Sequence, residues 1–189
     1  KAHAQMLATV GLLTADEAEA LCSELDIIMA LVTKEDFVIE DDFEDIHSKI
    51  EFMLTERLGD VGKKIHTSRS RNDQVLTAMQ LLLKDEITEI KELTKALFST
   101  WMSLAEKHKN DLLPGYTHLQ VAMPSSFGLW FSAYAESLVD DVILLNAAHT
   151  ICDQNPLGSA AGYGSSFPID LMHTPEALQF STLNFNEVA

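Results

Sequence analysis

Residues 74–108 read QVLTAMQLLLKDEITEIKELTKALFSTWMSLAEKH, and this stretch decides the fold. It contains neither Gly nor Pro. Leu76, Leu83, Ile90, Leu97 and Leu104 recur every seventh residue, and Ile87, Leu93 and Trp101 widen the stripe. Lys84, Asp85, Glu89, Lys91 and Glu92 lie mostly off it. Apolar residues at this period mark one face of a helix. About 35 residues at ~1.5 Å rise make a rod of roughly 50 Å. Such a rod overshoots a small compact domain and suits a long helical bundle.

Upstream the pattern is also helical. Thr14-Ala-Asp-Glu17 is a capping box, and Ala18, Leu21, Leu25, Ile28 and Val32 follow on one face. An acidic cluster at residues 35–42 interrupts. A second helix is expected from about Glu44 to Leu58, with Ile46, Ile50, Met53 and Leu54 inward and Gly59 as its stop. Downstream, Pro124 suits the first turn of another long helix reaching about Cys152. That helix is rich in aromatic and small residues, as contact on more than one side requires. Gly162 and Gly164 mark a flexible loop, and Thr174-Pro175 predicts the cap and first position of a short helix. The expected class is all-α. The boundary falls near residues 59–68, dividing the chain into 1–68 and 69–189.

Composition narrows the partners. The 189 residues carry 13 Lys+Arg against 29 Asp+Glu, a formal charge of −16. Such a surface repels phosphate, so nucleic acid and anionic membranes are poor partners. Leu112 to Ala135 has no Asp, Glu, Lys or Arg, yet Pro114, Gly115, His118, Gln120 and Pro124 disqualify it as a membrane span. An uncharged stretch in an acidic chain predicts burial in a larger assembly. Cys22 and Cys152 make no disulfide framework or metal spacing, which suits a reducing compartment such as the cytoplasm. The first residue is Lys1, not Met, and the chain stops abruptly at Asn186-Glu-Val-Ala189, so both ends are expected to be cuts through a longer protein.

Three segments could carry chemistry. His66-Thr-Ser-Arg-Ser-Arg-Asn-Asp-Gln74 places two arginines, hydroxyls and an amide where the long helix begins. Unsatisfied N–H groups and the helix dipole favour anions there, and arginine offers a planar fork for a carboxylate. Ser70-x-x-Asp73 also fits an ordinary cap, so pattern alone leaves both readings open. Gly115-Tyr-Thr-His-Leu-Gln120 holds a loop histidine, His118, that can be oriented for proton transfer or be merely structural. Glu44-Asp-Ile-His47 brings His47 to a helix start, where it can meet a ligand or solvent. Asp41, Asp42, Glu44 and Asp45 have no diagnostic ligand spacing, so no metal is expected. Gly164-Ser-Ser166 lacks a nucleophile-elbow context, and no phosphate-binding glycine loop is present.

With these residues in hand, a resemblance emerges. His66-Thr-Ser-Arg-Ser-Arg-Asn-Asp-Gln-Val75 resembles the first conserved block of the argininosuccinate lyases. Sister families of the fumarase/aspartase superfamily carry a related block with different wording. Gly115-Tyr-Thr-His-Leu-Gln120 is similar to the second block, and Glu44-Asp-Ile-His47, Asn155-Pro-Leu-Gly-Ser159 and Ala2-His3 to further lyase segments. The resemblance covers essentially the whole chain. It implies a fumarase/aspartase-like fold, comprising part of the N-terminal helical domain and the first long helices of a central bundle. It implies reversible β-elimination of argininosuccinate to arginine and fumarate, in arginine biosynthesis, with no cofactor. It also implies a homotetramer with shared active sites. By resemblance Ser70, Arg71, Asn72, Thr117 and His47 contact substrate. His118 takes part in proton transfer, directly or by activating another group.

The family's third block, Gly-Ser-Ser-x-Met-Pro-x-Lys-x-Asn, supplies a catalytic serine and has no counterpart here. Gly164-Ser-Ser-Phe-Pro168 imitates only its start, so neither Ser165 nor Ser166 inherits that role. The 189 residues alone are therefore expected to be inactive. Two alternatives remain open at this stage: a sister fumarate-forming lyase, and a non-catalytic crystallin-type structural or oligomerisation protein.

Overall fold

The computed structural model describes residues 1–185. Asn186–Ala189, on which the expectation of an abrupt end rests, lie outside the described residues. The chain is mostly helical, as expected. It divides into two compact units: Lys1–Met79 with the segment from Gln154 onward, and Gln80–Asp153.

In the first unit, α1 (Ala2–Thr9) and α2 (Ala15–Thr33) pack with α3 (Ile46–Leu58). The capping box forms: Thr14 Oγ1 accepts from Glu17 N–H at 3.2 Å, and Glu17 Oε2 accepts from Thr14 N–H at 3.0 Å. Ala18, Leu21 and Ile28 are buried and Leu25 half-buried, but Val32 at the last turn stays exposed. In α3, Asp45 is the N-cap and accepts from Ser48 N–H at 2.7 Å, so the helix starts later than Glu44. Leu54 is buried, Ile50 and Met53 are half-buried, and Ile46 turns outward. Gly59 ends α3 as expected, and α4 (Asp60–Lys63) and a 3₁₀ turn (Lys64–His66) lead on. Ala4, Met6, Leu7, Leu13, Leu21, Leu54 and Ile65 form the core.

The segment after residue 153 completes this unit. β3 (Gln154–Asn155) pairs in parallel with β4 (Thr182–Leu183), and α7 spans His173–Leu178. Thr174 is not the cap of α7. Met172 holds that position without a side-chain bond, and Thr174 is buried, accepting from Asn155 Nδ2 at 3.0 Å. A hydroxyl that can satisfy a buried amide does so in preference to an exposed helix end.

α5 runs Arg71–Lys107, beginning in the first unit and continuing in the second. The second unit adds a hairpin, β1 (Leu112–Thr117) and β2 (Gln120–Ser126), and then α6 (Phe127–Cys152). The hairpin replaces the expected loop, and Pro124 lies in β2 rather than in the first turn of a helix. It faces Pro114 in the register, where neither residue can donate to the ladder. Ser126 caps α6 instead, accepting from Leu129 N–H at 3.1 Å. Trp101 stacks on Phe131 and Tyr134 with centroids 5.7 and 5.4 Å apart, joining α5 to α6. Gly128 permits a close approach: a Cβ there would sit 2.6 Å from Lys109 Cα and 2.7 Å from the Ala105 carbonyl oxygen. Lys84 pairs with Asp153 at the far end of the two helices.

The heptad series does not close on this chain. Leu83, Ile90 and Leu97 are 41%, 44% and 46% exposed. On α6, Leu129, Val139, Ile143, Leu144 and Ile151 are likewise open. No helix among the described residues is long and apolar enough to cross a membrane.

Candidate active site

The first turn of α5 and the start of α3 bring four of the six predicted residues together in the first unit: His47, Ser70, Arg71 and Asn72. Ser68, in left-handed conformation with φ +57°, turns the chain into α5. Ser70 Oγ then accepts from Asn72 N–H at 3.2 Å, and Ser70 N–H donates to Asp73 Oδ1 at 3.1 Å. The capping pattern is thus partly realised, and the cap and the site share the same residues. Asn72 remains exposed.

Arg71 Nη2 donates to Ser48 Oγ at 3.4 Å. Its guanidinium lies 3.7 Å from both Asp45 and Glu51 carboxylate oxygens, within ion-pair range but beyond a good hydrogen bond. Arg71 Nη1 is buried with no hydrogen-bond partner. Arg69 is more enclosed and donates to Glu51 Oε1 at 3.2 Å, and burial pushes its pKa down. His66 Nδ1 reaches the same Glu51 oxygen at 3.1 Å. His47 Nδ1 meets the Gln74 side-chain amide at 2.8 Å. Burial holds the His47 pKa below its ordinary value, opposed by Asp45 and reinforced by Arg71. Gln74 Oε1 is buried without a partner.

Two guanidinium groups, an amide and a helix N-terminus therefore lie together, with Arg69 Nε and Arg71 Nη1 buried and unpartnered as donors. Such a set has the charge and geometry to suit a carboxylate. Glu51 lies against both arginines and Asp45 against Arg71 alone. Glu51 escaped the sequence reading, although it follows His47 at i+4 and so shares its helix face. Gln74 stood inside the quoted motif without an assigned role.

Thr117 and His118 lie in the second unit, on the tip of the hairpin, and both are exposed. His118 and Leu119 have φ +50° and +65°. Positive φ at both central residues is the type I′ turn that suits the twist of a hairpin. Neither residue is the Gly or Asn that normally bears this conformation, so the histidine is presented at a backbone cost. Ser165 Oγ accepts from Ser68 Oγ–H at 2.7 Å and from Phe167 N–H at 3.2 Å, and so braces its own loop. No group of three or more His, Cys, Asp or Glu among the described residues could hold a metal ion.

A family model described as lyase matches residues 1–186. The chain is 57% identical over 187 residues to an argininosuccinate lyase of Bacteroides thetaiotaomicron, covering 99% of this chain and 42% of that protein. It is 44% identical over 187 residues to the argininosuccinate lyase of Xylella fastidiosa, with the same two coverages. The chain thus spans 42% of the length of these curated relatives. Among solved structures, a variant of EDDS lyase with bound fumarate superposes with TM-score 0.89 at 25% identity, over 99% of this chain and 36% of that one. A protein described as fumarate lyase:delta crystallin from Brucella melitensis, bound to cobalt, superposes with TM-score 0.80 at 18% identity, over 99% and 46% of the two chains, and shows the shared fold.

Proposed function

We propose, for a chain that belongs to the lyase family by its match over residues 1–186, that it supplies part of an argininosuccinate lyase. The observation that carries this reading is the first turn of α5, where Arg71 bonds Ser48 of α3, Ser70 Oγ holds the Asn72 N–H, and the Gln74 amide meets His47, a set of groups suited to a carboxylate. The relatives named argininosuccinate lyase, at 57% and 44% identity, support the same substrate class.

The reaction is reversible β-elimination in arginine biosynthesis. A base removes the proton next to a succinyl carboxylate, and the electron pair moves onto that carboxylate. The C–N bond then breaks, the departing guanidinium takes a proton, and fumarate and arginine result. Negative charge grows on the carboxylate in the transition state, so donors fixed in advance lower the barrier most. Ser70, Arg71 and Asn72 fill that role, with His47 and Thr117 against the substrate. His118 takes part in proton transfer, directly or through another group. None of these roles needs a cofactor.

We keep residues 1–68 as part of an N-terminal helical domain and 69–189 as the first half of a central bundle. The open heptad seam at Leu83, Ile90 and Leu97 supports assembly, read here as a homotetramer. A cytoplasmic location fits the free Cys22 and Cys152.

The test is fumarate release from argininosuccinate, followed by ultraviolet absorbance. It is measured with the 189 residues alone and with the same chain completed by the C-terminal part of a close relative. The expected result is no turnover alone and turnover when completed. Absence of turnover in a folded, assembled, completed protein sinks the proposal and favours a structural role.

A further inference from the structure

Asp73 lies in the first turn of α5 and is fully buried. Its Oδ1 takes the Ser70 N–H, as a helix cap requires. Its Oδ2 does something no cap requires. It accepts the Gly158 N–H at 3.2 Å and the Ala160 N–H at 3.0 Å, from a segment more than eighty residues away in the chain. That segment takes positive φ at both residues, +111° at Gly158, where glycine adopts it freely, and +54° at Ala160, where it is costly. Successive N–H groups turned inward by such conformations form a nest that binds an anion. Here the anion is a side chain of the protein itself.

Burying a carboxylate is expensive unless its oxygens are fully hydrogen-bonded. Three N–H donors meet that condition, and burial still raises the Asp73 pKa. An ordinary N-terminal cap sits in water and needs no such enclosure. The same Ser70 that Asp73 holds through its N–H in turn holds Asn72 through its Oγ. Asp73 therefore stands directly behind the residues assigned to the substrate.

We propose that Asp73 is a positioning residue whose carboxylate clasps the Ser70–Asn72 turn to the Gly158–Ala160 turn, fixing the carboxylate-binding donors in one arrangement. This rests on the lyase reading above. It goes beyond it by assigning part of the site's order to the Gly158–Ala160 turn, which carries no chemistry of its own.

The test uses the completed protein and three variants. Asp73→Asn keeps the shape but aims an amide donor at backbone donors. Gly158→Ala leaves α5 untouched and strains the nest, because a residue with a side chain rarely adopts φ +111°. Thr77→Val removes a nearby buried bond, Thr77 Oγ1 to the Asp73 carbonyl at 2.6 Å, and serves as the stability control. Asp73→Asn and Gly158→Ala are expected to raise KM for argininosuccinate about 10- to 100-fold, more than they lower kcat, because misplaced donors bind poorly. Thr77→Val is expected to leave KM within about twofold. Amide hydrogen exchange at Ser70, Gly158 and Ala160 is expected to quicken in the first two variants and stay slow in the third. KM changes that merely track lost thermal stability, equal in all three variants, overturn the proposal. If Asp73→Asn does not fold, Gly158→Ala decides alone, and an unchanged KM overturns the proposal. If the unsubstituted protein releases no fumarate, the lyase reading fails. Exchange then judges the clasp, and unaltered protection at Gly158 and Ala160 overturns it.

Discussion

Individual residues near the α5 start carry opposite electrostatic burdens. His3 is 4% exposed, and its Nε2–H donates to the Thr67 carbonyl at 2.9 Å, bracing the backbone that leads into the site. Burial, with Arg69 nearby, pushes its pKa down to about 4, so it is neutral in the folded chain at pH 7. The unfolded histidine titrates near 6.5 and binds more protons than the folded one between these values. Stability is therefore complete above about pH 6.5 and falls as pH drops towards 4, by roughly 3 kcal/mol in all. A urea-denaturation series against pH checks this, and His3→Gln is expected to flatten the slope in that window. Glu51 has the reverse duty, as shared acceptor for Arg69 and His66 beside Arg71. Glu51→Gln leaves the enclosed Arg69 without its countercharge, and a loss of about 3 kcal/mol is expected in the same assay. Arg71→Lys keeps the charge but loses the planar fork. In the completed protein it is expected to lower kcat/KM about tenfold or more.

Elements show which signals a chain writes plainly. Gly128→Ala forces a methyl group against backbone atoms of Lys109 and Ala105 that no rotamer can move. It is expected to cost about 1–3 kcal/mol by chemical denaturation, while Ala133→Ser, at an exposed position of the same helix, costs little. The helices were legible because their determinants are local: the Thr14–Glu17 box, the Gly59 stop and the uninterrupted α5 stripe. The hairpin was not, because a two-residue turn is announced by Asn-Gly or Gly-Asp, and here the turn is His118-Leu119. Pro124 misled for the same reason, since its fixed φ suits a strand edge as well as a helix start. Thr174 misled because its partner, Asn155, lies elsewhere in the chain. The site divides likewise. Ser70, Arg71 and Asn72 sit in one contiguous motif, whereas Glu51 and the Gly158–Ala160 nest join it only through the tertiary fold.

At the scale of the whole molecule, the open apolar seam yields a prediction about behaviour in solution. Leu83, Ile90 and Leu97 present one stripe along α5, and α6 presents another. Patches of this kind mark association surfaces. Sedimentation is expected to find self-association, and the triple change Leu83→Gln, Ile90→Gln, Leu97→Gln is expected to leave a helical monomer. An unchanged mass distribution would refute this account of the seam. The hairpin tip has a different consequence. His118 and Leu119 occupy backbone space in which Gly or Asn would rest more comfortably, at a saving of about 1 kcal/mol per position. A mutational survey scored on abundance alone should therefore reward Leu119→Gly, against the usual rule that substitutions harm. Positions that improve in such a survey form a map of what the fold sacrifices for its task, drawn without ever supplying a substrate.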